Sequence, residues 1–378
     1  MQPGRRWPAR APSPRWRGRR TRRCPRPVRR RTGPSFAGPT GSAGPGPGAG
    51  RDPVARRSAQ SGRFYSTRAP RPGGDNAFPM PDQAKPIVSA LIVSYNAKDL
   101  LLRCLQAFFA SADVPVEAVV VDNDSSDGSA AAVTDEYPQA TVLVQPKNLG
   151  YGRAANVGLE RCQGRFVLLL NTDVTVDPQC VGRLADFLLT RPDAGAVGPR
   201  VLLSDGRFDP DARRAFPLPS TLFYRTVGLS RLFPKSPRFG RHNMGHVPES
   251  DVHEMDSGTG ACLMLRTAAL DRVGFFDPRY FLFGEDIDLC YRLKLGGWKV
   301  FYLPAAGAVH HDRPGDAGAR RRMSYERHRA MWAYHFKHHA EDVSAFGNGL
   351  VWAQIWGRWA AEWVKDSVAR GRTRRESS

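Results

Sequence analysis

Long hydrophobic runs are missing from this 378-residue chain: the longest unbroken aliphatic or aromatic stretch is the five residues 166–170. No segment therefore approaches the ~20 apolar residues that a membrane-spanning helix needs. The N-terminus has no apolar stretch of the kind a secretory leader carries, and its Arg-rich, acid-poor texture leaves a transit peptide as a minor alternative. Paired-cysteine spacing is also absent. Cys24, Cys104, Cys162, Cys180, Cys262 and Cys290 show no C-x-x-C pattern and sit mostly in apolar or helical stretches, so reduced, buried thiols of a cytoplasmic enzyme are expected.

Acidic residues are scarce in one region. Residues 1–85 hold 20 Lys and Arg against 3 Asp and Glu, a net of +17 out of +20, which leaves residues 86–378 at +3. The same region holds 15 of the 31 Pro and 12 of the 37 Gly, a composition that buries too little apolar surface to offset ordering entropy. It reads as a disordered tail, and because the excess charge is confined to it, no nucleic-acid binding is expected of residues 86–378. Met80 lies a few residues before the first apolar run, as a natural start would, so residues 1–79 are expected to be dispensable, with Met80 as the alternative start of translation.

Beyond Pro86, short apolar runs alternate with helix-period segments, the pattern of a mostly parallel α/β sheet flanked by helices. Strands are expected at 88–95, 116–121, 141–144, 166–170, 194–202, 260–265 and 299–303, and helices at 129–137, 153–161 and 178–189. Another helix follows 88–95, and one opens near Glu285. Residues 203–255 break the series and read as a long loop or insertion, which inside a domain is usually functional. The boundaries are a tail over 1–85, a domain over 86–315 and a helical extension over 316–378, helical from about Tyr325.

Three expected strands end in polar residues, Tyr95-Asn96, Asp122-Asn123 and Asn171-Thr172-Asp173. In parallel sheets ligands bind outside the carboxyl ends of strands, so these ends should line one crevice, although Asx residues also cap turns. The runs VSALIVSYN, VVVDNDSSDGS, NLGYGRAANVGL and LLLNTDV resemble the nucleotide-binding half of a family 2 glycosyltransferase with the GT-A fold. The later run GFFDPRYFLFGEDIDLCYRLKLGGWKVFYLP, with AVHH beyond it, is similar to the acceptor half in the rhamnosyltransferase-like branch.

The resemblance implies a nucleotide-sugar donor, with Asp122 at the base edge, Asn96 and Asn123 near the nucleoside, and further contacts from Tyr95, Ser125, Asn148, Gly150, Asn156, Asn171 and Asp173. Where the family carries an Asp-x-Asp pair for its cation, Asn171 replaces the first carboxylate and Asp173 remains. Mg²⁺ or Mn²⁺ can be held by one carboxylate plus phosphates and water, while Asp173 could equally cap the turn before Val174. The resemblance also implies a metal-side His, His310 in preference to His311.

Glu285, Asp286 and Asp288 fall in the opening turn of one helix, where acids complement its dipole. Asp288 can pair with Arg292 four residues on, and Glu285 would sit before the helix proper. Asp286 points about 200° from Asp288 and is free to face the crevice as general base. Trp352, Trp356, Trp359 and Trp363 form one helical stripe, expected to pack on the domain, with an interfacial membrane helix as the alternative.

The leading expectation is an inverting transfer of a sugar, plausibly L-rhamnose from dTDP-rhamnose, from a dTDP-, UDP- or GDP-sugar to a glycan or lipid-linked glycan. The setting is cytoplasmic, with peripheral membrane contact open. A nucleotidyltransferase would carry a Gly-rich basic loop where Tyr95-Asn96-Ala97 stands, and a nucleic-acid binder would use the Arg-rich tail. A fragment spanning residues 80–378 is expected to remain soluble and active beside the full chain and to show no salt-dependent nucleic-acid binding; parallel transfer and filter-binding assays check both.

Overall fold

A computed structural model describes residues 85–376 except 219, 222–223, 225–226 and 313–316. The expected disordered tail, Cys24 and the Met80 start therefore lie outside the described residues, Lys85 apart. β1 (Val88–Ser94) is almost wholly buried, and α1 (Lys98–Ser111) buries Leu101, Cys104, Leu105 and Phe108, the stripe of an amphipathic helix. β2 (Val116–Asp122), α2 (Ser129–Glu136), β3 (Thr141–Val144), α3 (Tyr151–Leu159) and β4 (Phe166–Leu170) follow. The four strands pair in parallel in the order β3–β2–β1–β4. Alternation divides their side chains: Ala90, Ile92, Val120 and Leu168 pack with α1, whereas Leu91, Val119, Val121 and Leu169 pack with α3.

β5 (Val174–Val176), α4 (Cys180–Thr190) and β6 (Ala194–Leu203) continue the chain. The described part of the 203–255 stretch then holds β7 (Arg213–Arg214), the one-turn helix α5 (Leu229–Leu232), a 3-10 turn at Arg241–Asn243 and β8 (His253–Met255). After β9 (Ser257–Gly258) come β10 (Cys262–Arg266), α6 (Thr267–Val273), α7 (Glu285–Leu295), β11 (Lys299–His310), α8 (Ala317–His338) and α9 (Ala345–Glu376).

β10 enters the sheet antiparallel between β4 and β6. β11 runs parallel to β6 but antiparallel to β5 and β8. The sheet is thus mixed, with its parallel character concentrated in β1 to β4. β11 also outruns the expected 299–303: Pro304 lacks an N–H and the register with β6 breaks between Leu303 and Gly307, yet pairing resumes and carries the strand through His310.

α7 and α8 are joined by a buried ionic knot. Asp288, fully buried, receives Arg292 Nε at 2.8 Å, Lys337 Nζ at 2.6 Å and His338 Nε2 at 2.7 Å. Burial opposes its charge, but these donors outweigh burial and hold the Asp288 carboxyl well below the usual range. Arg292 also donates to the carbonyls of Val273, Gly274 and Phe275, and Lys337 to Asp277, so the knot fixes the 273–280 loop as well. The expected Asp288–Arg292 pair is present, with partners from α8 that spacing alone does not reveal.

The C-terminal helices depart from expectation. α8 opens at Ala317, ahead of Tyr325. The buried line of α9 is Val351 and Ile355 rather than the tryptophans; Trp356 and Trp359 touch Tyr325 of α8, while Trp352 and Trp363 stay about half exposed. No described helix is long and apolar enough to cross a membrane. The five described cysteines are buried and unpaired.

Asp288→Ala removes the buried carboxylate that Arg292, Lys337 and His338 share and is expected to cost about 3–5 kcal/mol, the usual penalty for removing one partner of a buried ion pair. Urea denaturation of the variant beside the wild type measures it.

Candidate active site

β2, β1 and β4 are parallel neighbours, with Ser94 directly opposite Asp122, so their carboxyl ends share one edge of the sheet. The side chains singled out there lace the loops together. Asn96 Oδ1 accepts the Ser126 amide at 2.8 Å, Ser125 Oγ accepts the Asn96 amide at 3.0 Å, and Asp122 Oδ2 accepts the Ser125 amide at 3.1 Å. Asn123 accepts the Leu149 amide and donates to Asn148 Oδ1, which also accepts the Gly150 amide. Asn96 and Asp124 hold left-handed φ of 47° and 73°, backbone strain of the sort concentrated at binding loops. Tyr95 is exposed beside them.

Buried oxygens without hydrogen-bond partners mark this edge: Ser94 Oγ, Asp122 Oδ1 and Asp173 Oδ1. Such atoms are costly unless a ligand or water completes them. Two expected contacts are differently employed. Asn156 uses both ends of its amide on the backbone of Phe276, at 2.9 Å each, and so pins α3 to the 273–280 loop. Gly150 sits at φ 78°, where an added Cβ would lie 2.5 Å from the Phe281 carbonyl, and this close approach lets the Tyr151 amide donate to that carbonyl.

A cleft of about 390 Å³ opens next to this edge, with Asn171 and His310 among its walls together with Arg214, Glu285 and Asp286. Asp286 faces it as expected but is not free. Its Oδ2 receives Arg214 at 2.7 Å and the Gly260 amide at 2.9 Å, and its Oδ1 receives the Ile287 amide at 2.8 Å. Arg214 comes from β7, whose pairing with β9 brings the 203–255 stretch against α7. Glu285 is the first residue of α7 rather than a residue outside it; Gly284, at φ 80°, turns the chain and buries the Glu285 side chain with Oε2 unpartnered. Burial, reinforced by the Asp286 carboxylate, pushes the Glu285 pKa up to about 8.

On the opposite wall, His310 Nε2 lies 3.5 Å from Asp173 Oδ1 and its Nδ1 lies 3.2 Å from Asp209 Oδ2. The flanking carboxylates of Asp173 and Asp209 push the His310 pKa up to about 10. His311 turns away, with Nε2 2.8 Å from Thr175 Oγ1. Among the described residues no three His, Cys, Asp or Glu side chains converge as a closed metal cage. The orphan oxygen of Asp173 beside the His310 imidazole nevertheless suits a hard cation that draws its remaining ligands from elsewhere. Arg214 and Asp209, absent from the expected site, both lie in the run DGRFDPDARR, whose density of acids and arginines inside the long insertion was the available signal.

Residues 89–250 match the sequence profile of Glycosyl transferase family 2. The chain carries a family 2 glycosyltransferase domain. The glycosyltransferase is 29% identical over 268 residues to the N-acetylglucosaminyl-diphospho-decaprenol L-rhamnosyltransferase of Mycobacterium tuberculosis, an alignment covering 65% of this chain and 86% of that protein. It is 31% identical over 204 residues to a pre-mycofactocin glycosyltransferase of the same organism, covering 52% of this chain and 38% of the other. Among solved structures, a mannosyltransferase from Pyrobaculum calidifontis in complex with GDP-Man and Mn²⁺ aligns at a TM-score of 0.46 and 18% identity, covering 78% of this chain and 81% of that one. The mixed sheet flanked by helices is a GT-A fold.

A raised carboxyl pKa has a defined sign in stability. The folded state holds the Glu285 proton more tightly than the unfolded chain does, so its contribution is present below the ordinary carboxyl range and lost as pH rises toward 8. The Tm of Glu285→Gln minus that of the wild type should therefore increase from pH 5 to about 8 and level off above. Thermal melts across that range check it; a constant difference would show that Glu285 does not titrate there.

Proposed function

We propose that the enzyme transfers a sugar from a nucleotide diphosphate donor to a hydroxyl of a lipid-linked glycan by single, inverting displacement. The observation that carries this reading is that the carboxylate of Asp286 and the Asn171–His310 wall open onto one cleft, so an acceptor and a donor diphosphate can meet within it. The mycobacterial relative favours L-rhamnose, from dTDP-rhamnose, as the sugar and a sugar linked through diphosphate to a polyprenol as the acceptor. Apolar lining of the cleft by Leu282, Phe283 and Met331 suits an acceptor with a greasy portion.

In this mechanism the acceptor hydroxyl gives its proton to Asp286 while its oxygen bonds to the anomeric carbon, and the bond from that carbon to the diphosphate oxygen breaks with inversion. Arg214 and the Gly260 amide hold Oδ2 of the Asp286 carboxylate, and the Ile287 amide holds Oδ1. Protonated near neutral pH, Glu285 adds no second negative charge beside the base. Asp122, with Oδ1 unpartnered, can accept the ring N–H of a thymine or uracil, within loops already spaced by Asn96, Ser125, Asn123 and Asn148. Asp173 and His310 would hold Mg²⁺ or Mn²⁺, which supplies charge stabilisation to the leaving diphosphate when bound.

Asp286→Asn preserves shape but removes basicity, so turnover should fall about 10²–10⁴-fold with donor affinity nearly unchanged. Asp173→Ala should lose both turnover and tight donor binding. Measuring transfer and nucleotide affinity on both variants separates the roles: an Asp286→Asn enzyme at wild-type rate removes the base assignment, and full activity in excess EDTA removes the metal.

A further inference from the structure

Helix α9 is built inside out. Its buried line, Val351 and Ile355, faces α8, and around it lie the polar contacts between the two helices: Ser324 Oγ donates to Glu362 at 2.8 Å, and Asn348 meets His335 at 2.7 Å. Residues 345–368 carry four charged side chains, Arg358, Glu362, Lys365 and Asp366. At 100° per residue all four fall within about 100° of the Val351–Ile355 direction. The opposite arc, about 160° wide, contains no charged residue over a length of about 36 Å. Phe346, Leu350, Val364 and Val368 lie on that arc and are 77%, 57%, 52% and 53% exposed, and Trp363 at its margin is 47% exposed. Water-facing helices place their charges outward, so this arrangement needs a nonaqueous neighbour.

We propose that the outward face of α9 docks on the surface of a bilayer containing anionic lipid, lying in the interface without crossing it. Composition selects lipid over a second copy of the chain. Trp352 and Trp363 lie about 20° apart along one margin of the arc, where their amphipathic rings favour the headgroup level, and the sequence of α9 continues into Arg370, Arg372, Arg374 and Arg375, a cluster that anionic headgroups attract. Position agrees. Arg358 of α9 lines a cavity of about 450 Å³ with Arg231 and His242, and His242 also lines the cleft that holds Asp286, so α9 lies close to that cleft. The docking face rests on exposure and charge placement, independently of the transfer reaction, and can stand or fall separately from it.

The test is sedimentation of the full chain with vesicles of 70% phosphatidylcholine and 30% phosphatidylglycerol, in 0.5 M NaCl. That salt reduces the screening length to about 4 Å and weakens the attraction of both Arg-rich stretches, the N-terminal one and that after residue 369, so that pelleting reads the apolar face. Wild type should pellet with the vesicles, and Leu350→Glu/Val364→Glu should partition at least about tenfold more weakly. Circular dichroism and nucleotide affinity should stay unchanged, because both positions are exposed and remote in sequence from the catalytic residues. Equal pelleting of the two proteins, or a wild type that stays in the supernatant, overturns the proposal. A wild type that is dimeric by light scattering while the variant is monomeric, with vesicle binding alike in both, assigns the face to a second copy instead.

Discussion

Asp288 is the residue on which the geometry of the catalytic cleft depends. Its carboxylate is fully buried, so its charge persists because Arg292, Lys337 and His338 converge on it. That convergence fixes the first turn of α7, and with it the directions of Glu285 and Asp286. It also fixes the end of α8, the helix whose Ala330, Met331 and Tyr334 wall the cleft. A buried charge is a poor source of net stability, yet few interactions are as intolerant of displacement, and that intolerance is what holds the wall of the cleft in place.

Within this frame the three carboxylates of α7 meet different surroundings. Asp288, buried, accepts Arg292, Lys337 and His338 and is held charged; Asp286 accepts Arg214 and two backbone amides; Glu285, buried with an unpartnered oxygen, is pushed toward neutrality. Separating like groups by environment is how one short helix turn can carry both a charged and a neutral carboxyl.

The N-terminal half was legible in the sequence because it obeys local rules. Strands β1 to β4 are apolar runs of strand length, and the helices between them show period 3.6, so the elements follow nearly residue by residue and their parallel pairing follows from the alternation, whereas the order β3–β2–β1–β4 comes from the structure. The antiparallel entry of β10 was not legible, since its five apolar residues read alike in either direction. The pairing of Asp288 with Arg292 was visible as an i, i+4 spacing, whereas Lys337 and His338 come from another helix. Asn156 shows the opposite failure. It lies in a run whose resemblance implies nucleotide contact, while its amide serves a loop 120 residues away.

The order of strands has a consequence for synthesis. When the chain has emerged as far as β6, neither β4 nor β6 has its central neighbour, because β10 lies some sixty residues further on. Two apolar strands then present open backbone edges, the arrangement most prone to pairing with another chain. The sheet closes only when β10 slides between them, and the long insertion that precedes β10 must be made first. Until that insertion is complete, both edges stay open.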